Sequence, residues 1–468
     1  MKKEILNKIQ KVVGKSNIIL QEDDMHNYLT EWRGVYSGKA AAVIKPKSTN
    51  EVSRVLKIAY EYNIPIITQG GNTGLVGGQI PFDKNHLLLS LEKLNKVREV
   101  NNIDRSITAE AGIKLSELQN ICMKNNLFFP LSLASEGSCT IGGNIATNAG
   151  GVGVLYYGNT RELVLGLEVV LPDGKIINNL QALVKDNTGY SIKNLFIGSE
   201  GTLGVITAAT VKAFPQPKEK YTAFLKINSP NKSIKALRII QESISTPLTA
   251  FELMNNRSIQ FVIRHIPKTF APFSKFKWMV LVEFSSLESS DLEKERIEKT
   301  LNGLIDLGLV EDAVLSNSKS QSKNMWKLRE SISEAQKKEG GSIKNDISVP
   351  IKFINKFIHD ATSISKKNIP DSRCVIFGHI GDGNIHFNIS QPPKAEKQEF
   401  LKKENHLRKK IVELTMSLDG SFSAEHGIGL ARKGDLKKYK KDKLILMKGI
   451  KESIDKKNIM NPGKIFDY

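Results

Sequence analysis

The chain has 468 residues, of which 40% are hydrophobic and 7% aromatic, and its 68 Lys and Arg exceed its 49 Asp and Glu to give a net charge of +19. This composition is typical of a folded globular protein, and it excludes a disordered or a collagen-like chain. At roughly 150 residues per domain, the length predicts two or three domains.

The sequence lacks the run of about 20 apolar residues that crosses a bilayer, and its start, MKKEILNKIQKVVG, has no apolar core or cleavage site of a signal peptide. We therefore expect a cytoplasmic protein. The three cysteines, Cys122, Cys139 and Cys374, form no CxxC pair. An odd number of separated cysteines favours reduced, buried thiols over a disulfide framework.

The positive charge is spread along the chain, and its densest run, residues 431–443 (ARKGDLKKYKKDK), is expected on a solvated helical face. A basic chain can bind nucleic acid, an anionic membrane surface or a small acidic molecule. The charge alone therefore does not select a function.

The first part of the chain alternates predicted helices and strands. Residues 1–37 are expected to be a helical segment, and residues 40–44 a strand. Thr49 is the expected N-cap of the next helix, because apolar residues follow it at helical spacing. Those residues are Val52, Val55, Leu56 and Ala59. Residues 63–68 (NIPIIT) then predict a buried strand that leads into a glycine-rich loop.

Glycine is concentrated in two places. Of 35 glycines, five lie in residues 69–78 (QGGNTGLVGG) and seven in residues 137–158. A Rossmann-type dinucleotide site would need a helix after the first loop, but residues 86–90 (HLLLS) predict another strand. We therefore expect successive backbone N–H groups of the loop to surround a pyrophosphate.

Further along, residues 163–177 predict a hairpin that turns at Asp-Gly, and residues 195–205 (LFIGSEGTLGV) form a third glycine-bearing segment. We place domain boundaries to give segments 38–217, 218–420 and 421–468. The middle segment alternates strands and amphipathic helices, which is typical of an α+β domain.

Together these segments resemble the flavin-dependent D-2-hydroxyacid dehydrogenases of the vanillyl-alcohol oxidase type, over about residues 40–464. The resemblance implies an α+β fold with a two-part FAD-binding domain (38–217), an α+β substrate or cap domain (218–420), and a helical C-terminal segment (421–468) that carries a catalytic motif and returns to the flavin.

The resemblance also implies the residues that bind FAD, since QGGNTG, SEGSCTIGGNIATNAGG, EGTLGVI and NPGK match motifs of the family. The implied cofactor-binding residues are Gln69, Gly70, Gly71, Asn72, Thr73, Gly74, Glu136, Gly137, Ser138, Ile141, Gly142, Gly143, Asn144, Thr147, Asn148, Gly150, Gly151, Glu200, Gly201, Val205, Ile206 and Asn461. Some relatives attach FAD through a histidine or tyrosine. Neither occurs in residues 69–78, so we expect a noncovalent cofactor.

Three of the eight histidines lie in two short motifs, GHIGDGNIHFN (378–388) and SAEHGIG (423–429). If strands flank the glycine turn of the first motif, His379 and His386 converge at one end of a hairpin. Asn388 then shares the face of His386, because side chains two residues apart in a strand point the same way.

Two imidazoles and the carboxylate of Glu425 would make a three-ligand metal site with open positions. The resemblance implies that His379, His386 and Glu425 hold a divalent metal, commonly zinc, and that His426 is the catalytic base. By ligand chemistry alone, Zn, Mn, Fe and Co fit alike.

An anionic substrate also requires cations. Arg329 precedes Ser333 by about one helical turn, so both are expected on one helix face. The resemblance places this arginine and hydroxyl against the substrate, with Lys344 as a second cation, and Asn388 completes the expected substrate-binding set. Arginine can hold a carboxylate bidentately, whereas lysine is a point charge.

The expected reaction is oxidation of a D-2-hydroxyacid to the 2-oxoacid, with hydride transfer to the flavin. Arg329 and Lys344 would hold the substrate carboxylate, the metal would bind the hydroxyl, and His426 would remove its proton. Two cations and a metal favour a dicarboxylate, hence D-2-hydroxyglutarate or D-malate over D-lactate. A quinone, a cytochrome and an electron-transfer flavoprotein stay open as electron acceptors.

Other functions are also compatible with parts of the sequence. On the same fold, a flavin oxidase or an alkyl transferase is an alternative. From another class, a basic protein that binds nucleic acid or lipid would use the +19 charge. We expect no nucleic-acid partner, and we leave peripheral membrane contact and a homodimer open.

Overall fold

The computed structural model describes residues 3–467, so the first two residues of the expected N-terminal segment and the last residue of the chain lie outside the described residues. The strands are β1 Ile18–Ile19, β2 Ala42–Ile44, β3 Ile66–Gln69, β4 Leu87–Ser90, β5 Val97–Asn101, β6 Ser106–Glu110, β7 Leu127–Phe128, β8 Val164–Val170, β9 Ile176–Asn179, β10 Val205–Lys212, β11 Phe214–Pro215, β12 Glu219–Ile227, β13 Leu248–Asn255, β14 Trp278–Ser286, β15 Asp312–Leu315, β16 Ser342–Ile343, β17 Asp346–Ser348, β18 Arg373–His379 and β19 Asn384–Ser390.

The helices are α1 Lys3–Val13, α2 Glu22–Leu29, α3 Thr49–Glu61, α4 Leu115–Lys124, α5 Ile141–Ala146, α6 Val154–Tyr157, α7 Thr160–Leu163, α8 Lys193–Phe196, α9 Pro230–Ser243, α10 Asn256–His265, α11 Asp291–Asp306, α12 Lys319–Glu330, α13 Ile332–Lys337, α14 Ile354–Asn368, α15 Lys397–Leu401, α16 Glu404–Ser417, α17 Lys433–Tyr439 and α18 Lys441–Ile454. Across residues 3–467, no helix combines the length and apolar character that a membrane span requires.

The chain divides into two compact units. The first contains residues 1–150, 158–216 and 425–468, and the second contains residues 151–157 and 217–424. The chain thus enters the second unit at Pro217, while the short stretch 151–157, placed by the sequence in the first segment, groups with the second unit. The C-terminal return begins at Glu425, where the sequence suggested residue 421.

The first unit is built on two larger sheets. One has the strand order β1-β2-β4-β3, in which β2 and β3 run parallel to β4. The other is antiparallel with the order β5-β6-β10-β8-β9. The predicted hairpin at residues 163–177 is confirmed as β8 and β9, and Gly174 in its turn has a φ of 88°.

Helix α3 begins one residue earlier than a cap at Thr49 would require. Ser48 is the N-cap, because its hydroxyl accepts a hydrogen bond from the Glu51 backbone N–H. The predicted cap, Thr49, instead donates its hydroxyl to Glu168 on β8 at 2.6 Å. The apolar stripe of α3 is confirmed, since its four predicted residues are fully buried.

The two glycine-rich segments differ in structure. As expected, the first passes from β3 to β4 without a helix anywhere in residues 70–86. The second, expected to be a loop, contains the short helix α5. Gly142 makes this possible, since a Cβ at its position would lie 2.5 Å from the Cβ of Ala111. The helix therefore packs closely against the strand-end segment at Ala111.

The second unit is an antiparallel sheet with the strand order β15-β12-β14-β13-β18-β19-β16, with β17 also pairing with β19. Helices α9, α11, α14 and α16 pack on one face and bury an apolar core of aliphatic and aromatic side chains. Helices α10, α12 and α13 pack on the other face over a second, smaller core. That second face also carries Glu283, Glu252, His379 and His386 on four successive strands.

Candidate active site

A cavity of about 950 Å³ lies in the first unit, and all three glycine-bearing segments contribute to its wall. This volume is in the range of cofactor sites. The predicted cofactor-binding residues that line it are Gln69, Gly70, Gly71, Asn72, Thr73, Gly74, Ser138, Gly142, Gly143, Asn144, Thr147, Gly150, Glu200, Gly201, Val205, Ile206 and Asn461.

The other five predicted residues, all of them described, are not part of this wall. They are Glu136, Gly137, Ile141, Asn148 and Gly151. Ile141 starts α5 and faces the core, where it is buried. The side-chain oxygen of Asn148 accepts a hydrogen bond from the Arg161 backbone N–H. A motif match thus identifies the segment, whereas the direction of each side chain depends on the helix that the motif forms.

The N-terminal segment also lines the cavity, which the sequence did not predict. Its lining residues are His26, Asn27, Thr30, Glu31 and Trp32. The amide of Asn72 fixes this segment to the first glycine loop by donating to the carbonyls of Asn27 (3.0 Å) and Thr30 (2.9 Å). No recognisable motif marks this segment in the sequence, because its contacts with the loop are made by backbone carbonyls.

The glycine segments lie backbone against backbone. A Cβ on Gly71 would lie 2.0 Å from the carbonyl oxygen of Ser138, and one on Gly70 would lie 2.4 Å from the hydroxyl of Thr140. That hydroxyl is buried in the cavity wall and has no hydrogen-bond partner within residues 3–467. A buried polar atom of this kind requires a partner, so the wall fits a cofactor that offers polar atoms, as FAD does.

Two residues of the C-terminal tail bond to segments of the first unit in or near the cavity wall. Asn461 accepts a hydrogen bond from the Thr68 backbone N–H at 2.9 Å and donates to the Glu200 carbonyl at 2.8 Å. Lys464 donates to the carbonyls of Gly77 (3.0 Å) and Ile80 (2.6 Å) in the first glycine loop.

Lys464 has an unusual protonation equilibrium. Burial, reinforced by the nearby Lys433, lowers the pKa of the Lys464 amine to about 7, although Glu200 acts in the opposite direction. A neutral amine can still donate two hydrogen bonds, which matches its two carbonyl acceptors.

Glu200 supports the loop that carries the predicted base. Its buried carboxylate accepts hydrogen bonds from the backbone N–H groups of Ile428 (2.7 Å) and Gly429 (2.8 Å). Burial raises the pKa of Glu200, against the opposing effect of these two donors. Glu425 and His426 lie two to four residues before the supported N–H groups, and both line the cavity.

In the second unit, the predicted histidine hairpin is confirmed. Strands β18 and β19 pair with Phe377 opposite His386, and the rings of His379 and His386 lie 5.8 Å apart. Gly378 permits the close approach of the strands, because its φ is 155° and a Cβ there would lie 2.5 Å from the Asn384 carbonyl oxygen.

Each histidine has a carboxylate next to its Nδ1 atom. Glu252 Oε1 lies 2.5 Å from Nδ1 of His379, and Asp346 Oδ1 lies 3.7 Å from Nδ1 of His386. Metal-binding histidines commonly orient their rings through such a contact at the second nitrogen. The short contact at His379 leaves its Nε2 as the ligand atom, while the 3.7 Å separation at His386 is longer than a hydrogen bond. Two imidazoles are donors that fit a divalent cation.

Arg329 has a carboxylate partner that the sequence did not reveal. Its guanidinium contacts Oε2 of Glu252 at 2.8 Å through Nε and at 2.7 Å through a terminal nitrogen, and it lies over the Phe377 ring. Burial alone would raise the pKa of Glu252, but His379 and Arg329 outweigh it and lower the pKa to about 2.

The expectation that Arg329 and Ser333 share one helix face is wrong. Helix α12 ends at Glu330, so Ser333 belongs to the next helix, α13, where it is exposed while Arg329 is buried. Lys344 lies between β16 and β17 and is half-buried. Asn388 is buried on β19 and donates its amide to Gln336 at 3.0 Å.

Comparisons with known proteins bear on both units. Residues 40–179 match the family described as "FAD binding domain", and residues 216–465 match "FAD linked oxidases, C-terminal domain". The chain is 34% identical over 461 residues to a D-2-hydroxyglutarate dehydrogenase of Xanthomonas citri pv. viticola, which covers 98% of this chain and 96% of the relative. It is 36% identical over 450 residues to the mitochondrial D-2-hydroxyglutarate dehydrogenase of Rattus norvegicus, covering 96% and 82% respectively.

Among solved structures, p-cresol methylhydroxylase with bound substrate resembles this chain with a TM-score of 0.78 at 16% identity, covering 99% of this chain and 96% of that one. At so low an identity, the likeness concerns the fold alone.

Proposed function

The chain belongs to the FAD-dependent D-2-hydroxyacid dehydrogenases, whose vanillyl-alcohol-oxidase-type fold it has, and we propose that its substrate is D-2-hydroxyglutarate, which it oxidises to the 2-oxoacid. The observation that carries the choice of substrate is the similarity over nearly the whole chain to relatives named for this activity. The two predicted cations also favour a dicarboxylate over D-lactate.

We propose that FAD binds noncovalently in the cavity of the first unit. The unpartnered hydroxyl of Thr140 and the amide of Asn144 in the cavity wall would bind its polar atoms, while the close-packed glycines leave the backbone near it. When bound, FAD supplies the acceptor for the hydride that leaves the substrate Cα.

A divalent cation, most simply zinc, would be held by His379, His386 and Glu425, as the family resemblance implies. The support from the structure is the donor chemistry of the two histidines, whose Nδ1 atoms face Glu252 and Asp346. Such a cation would supply a Lewis acid that lowers the pKa of a bound hydroxyl.

Charged and polar side chains would hold the substrate. Lys344 and Arg329 would bind carboxylate groups, with Asn388 as a hydrogen-bond partner. Glu252 already offsets the charge of Arg329. Arg329 then contributes mainly directional N–H donors.

The base would be His426, which removes the proton of the substrate hydroxyl. Glu200 holds the backbone two and three residues after it, which would present the imidazole from a fixed loop in the cavity wall. A positioned general base of this kind contributes about 10²–10⁴-fold to the rate.

The physiological acceptor is proposed to be a quinone, a cytochrome or an electron-transfer flavoprotein. A cytoplasmic location, peripheral membrane contact and a homodimer stay predictions. An assay with an artificial dye acceptor does not require the physiological electron acceptor to be known.

The test is steady-state oxidation of a substrate panel by the purified flavoprotein, with the dye as acceptor. The panel contains the D and L forms of 2-hydroxyglutarate, malate and lactate. We expect the highest kcat/KM with D-2-hydroxyglutarate. A protein without flavin that binds DNA in a strongly salt-dependent way would instead support the nucleic-acid alternative.

A further inference from the structure

Glu252 is a buried carboxylate in the second unit that contacts both His379 and Arg329. It lies on β13, directly opposite His379 on β18 in the strand pairing. One of its oxygens faces Nδ1 of His379 at 2.5 Å, and the other faces Arg329 at 2.7–2.8 Å. The side chain is 1% exposed, so water does not compete for either contact.

The chemistry of the carboxylate explains why two such contacts coexist. An ionised carboxylate accepts hydrogen bonds at both oxygens and has no donor, whereas arginine has only donors. Accepting from His379 requires the hydrogen of the neutral imidazole to sit on Nδ1. The tautomer is thereby set, and Nε2 carries the lone pair that a cation needs.

The contact with Arg329 has a second effect. Two nitrogens of the guanidinium meet one oxygen, and the ring of Phe377 lies against its plane. These contacts hold the guanidinium in one orientation. The directions of its remaining N–H groups are therefore fixed as well. Because the same carboxylate holds His379, the orientations of the two side chains depend on each other.

We propose that Glu252 is a positioning residue that sets the metal-binding tautomer of His379 and the orientation of Arg329 together, so that it links cation binding to substrate binding. This inference rests on the proposed function, in which His379 binds a cation and Arg329 binds the substrate. Glu252 itself would contact neither the cation nor the substrate. It would act through His379 and Arg329.

The test compares Glu252→Gln with a matched control, Glu283→Gln. Glutamine has nearly the same shape but only one acceptor oxygen, so it can satisfy His379 or Arg329 but not both. Glu283 is a buried glutamate on the same sheet face, one strand away, and it pairs with Lys220 and Trp326 instead. Each protein is loaded with FAD, stripped of metal and titrated with Zn²⁺ in competition with a chromogenic chelator.

We expect Glu252→Gln to weaken Zn²⁺ binding by about 10–100-fold, the usual effect of losing such an outer contact, and to raise KM for D-2-hydroxyglutarate in the zinc-loaded enzyme. Glu283→Gln should keep the wild-type Kd and KM. A folded Glu252→Gln protein with wild-type Kd and KM would overturn the proposal.

If Glu252→Gln does not fold, Glu252→Asp replaces it, because aspartate keeps the charge but is too short to hold both partners. Wild-type Kd and KM in that variant would likewise overturn the proposal. The wild type separates the two levels of inference. If it neither binds Zn²⁺ nor oxidises D-2-hydroxyacids, the proposed function fails; if it does both and the variants match it, only the role of Glu252 fails.

Discussion

The buried amine of Lys464 should make the stability of the protein depend on pH. It donates hydrogen bonds to two carbonyl groups, and the positive charge of Lys433 acts on it. Its folded-state pKa of about 7 lies below the ordinary value of 10.5. Between these two pH values the unfolded chain carries a proton on this lysine and the folded chain does not. The free energy of unfolding contributed by Lys464 therefore rises with pH across this window.

Lys464→Met should remove this dependence. The slope is at most about 1.4 kcal/mol per pH unit, so denaturant unfolding at several pH values between 7 and 10 would resolve it. We expect the wild-type free energy of unfolding to rise more steeply with pH than that of the variant. Parallel curves would contradict the assignment of a depressed pKa.

His426 makes the residue-scale prediction for catalysis. His426→Ala should lower kcat by about 10²–10⁴-fold, the contribution of a general base, while FAD stays bound. The control is His359→Ala, since the side chain of His359 on α14 is 78% exposed and contacts Asp360. A normal kcat in His426→Ala would refute the base assignment.

Among the elements, the two glycine segments approach each other closely in the cavity wall, at Gly71 and Ser138. In Gly71→Ala, the added methyl group would lie 2.0 Å from the carbonyl oxygen of Ser138. Because this oxygen belongs to the backbone, it cannot move aside by a side-chain rotation. We expect destabilisation of about 1–3 kcal/mol, typical of overpacking, together with weaker FAD binding.

The matched control for this change is Gly137→Ala. Gly137 directly precedes Ser138, and within residues 3–467 no atom beyond its two chain neighbours lies within 4 Å of a Cβ built on it. Thermal unfolding and FAD titration of both variants would check the prediction. Equal FAD affinity in the two proteins would show that the close approach at Gly71 is not needed for the cavity.

Element patterns in the sequence predicted local structure well. Strands on both sides of the glycine turn were predicted to bring His379 and His386 together at one end of a hairpin, and the strand pairing confirms it. Predictions from the sequence pattern were wrong at two helix ends. Ser48 took the N-cap position that was assigned to Thr49, and α12 ended at Glu330, which separated Arg329 from Ser333.

At the scale of the whole molecule, the sequence could not reveal partners that are distant along the chain. Glu252 is one acidic residue in the apolar strand LTAFELMN, and its partners are 77 and 127 residues away. Its role follows only from strand order, which places β13 beside β18. The cavity contribution of residues 26–32 was missed for a similar reason, since hydrogen bonds to backbone carbonyls leave no residue signature.

Removal of the metal tests the proposed division of chemistry within the molecule. Treatment with a chelator should abolish D-2-hydroxyacid oxidation and leave the visible flavin spectrum unchanged, because the proposed cation ligands are not among the residues proposed to bind FAD. Adding Zn²⁺ back should restore the rate. Full activity after verified metal loss would contradict the metal role.

Hydride transfer from substrate to FAD is tested most directly by mixing the purified flavoprotein anaerobically with single 2-hydroxyacids and recording the absorbance of the flavin. If the chain transfers hydride from a D-2-hydroxyacid to FAD, the visible flavin band is bleached by D-2-hydroxyglutarate, and L-2-hydroxyglutarate leaves it unchanged. A flavin that stays oxidised with every D-2-hydroxyacid of the panel would contradict the account.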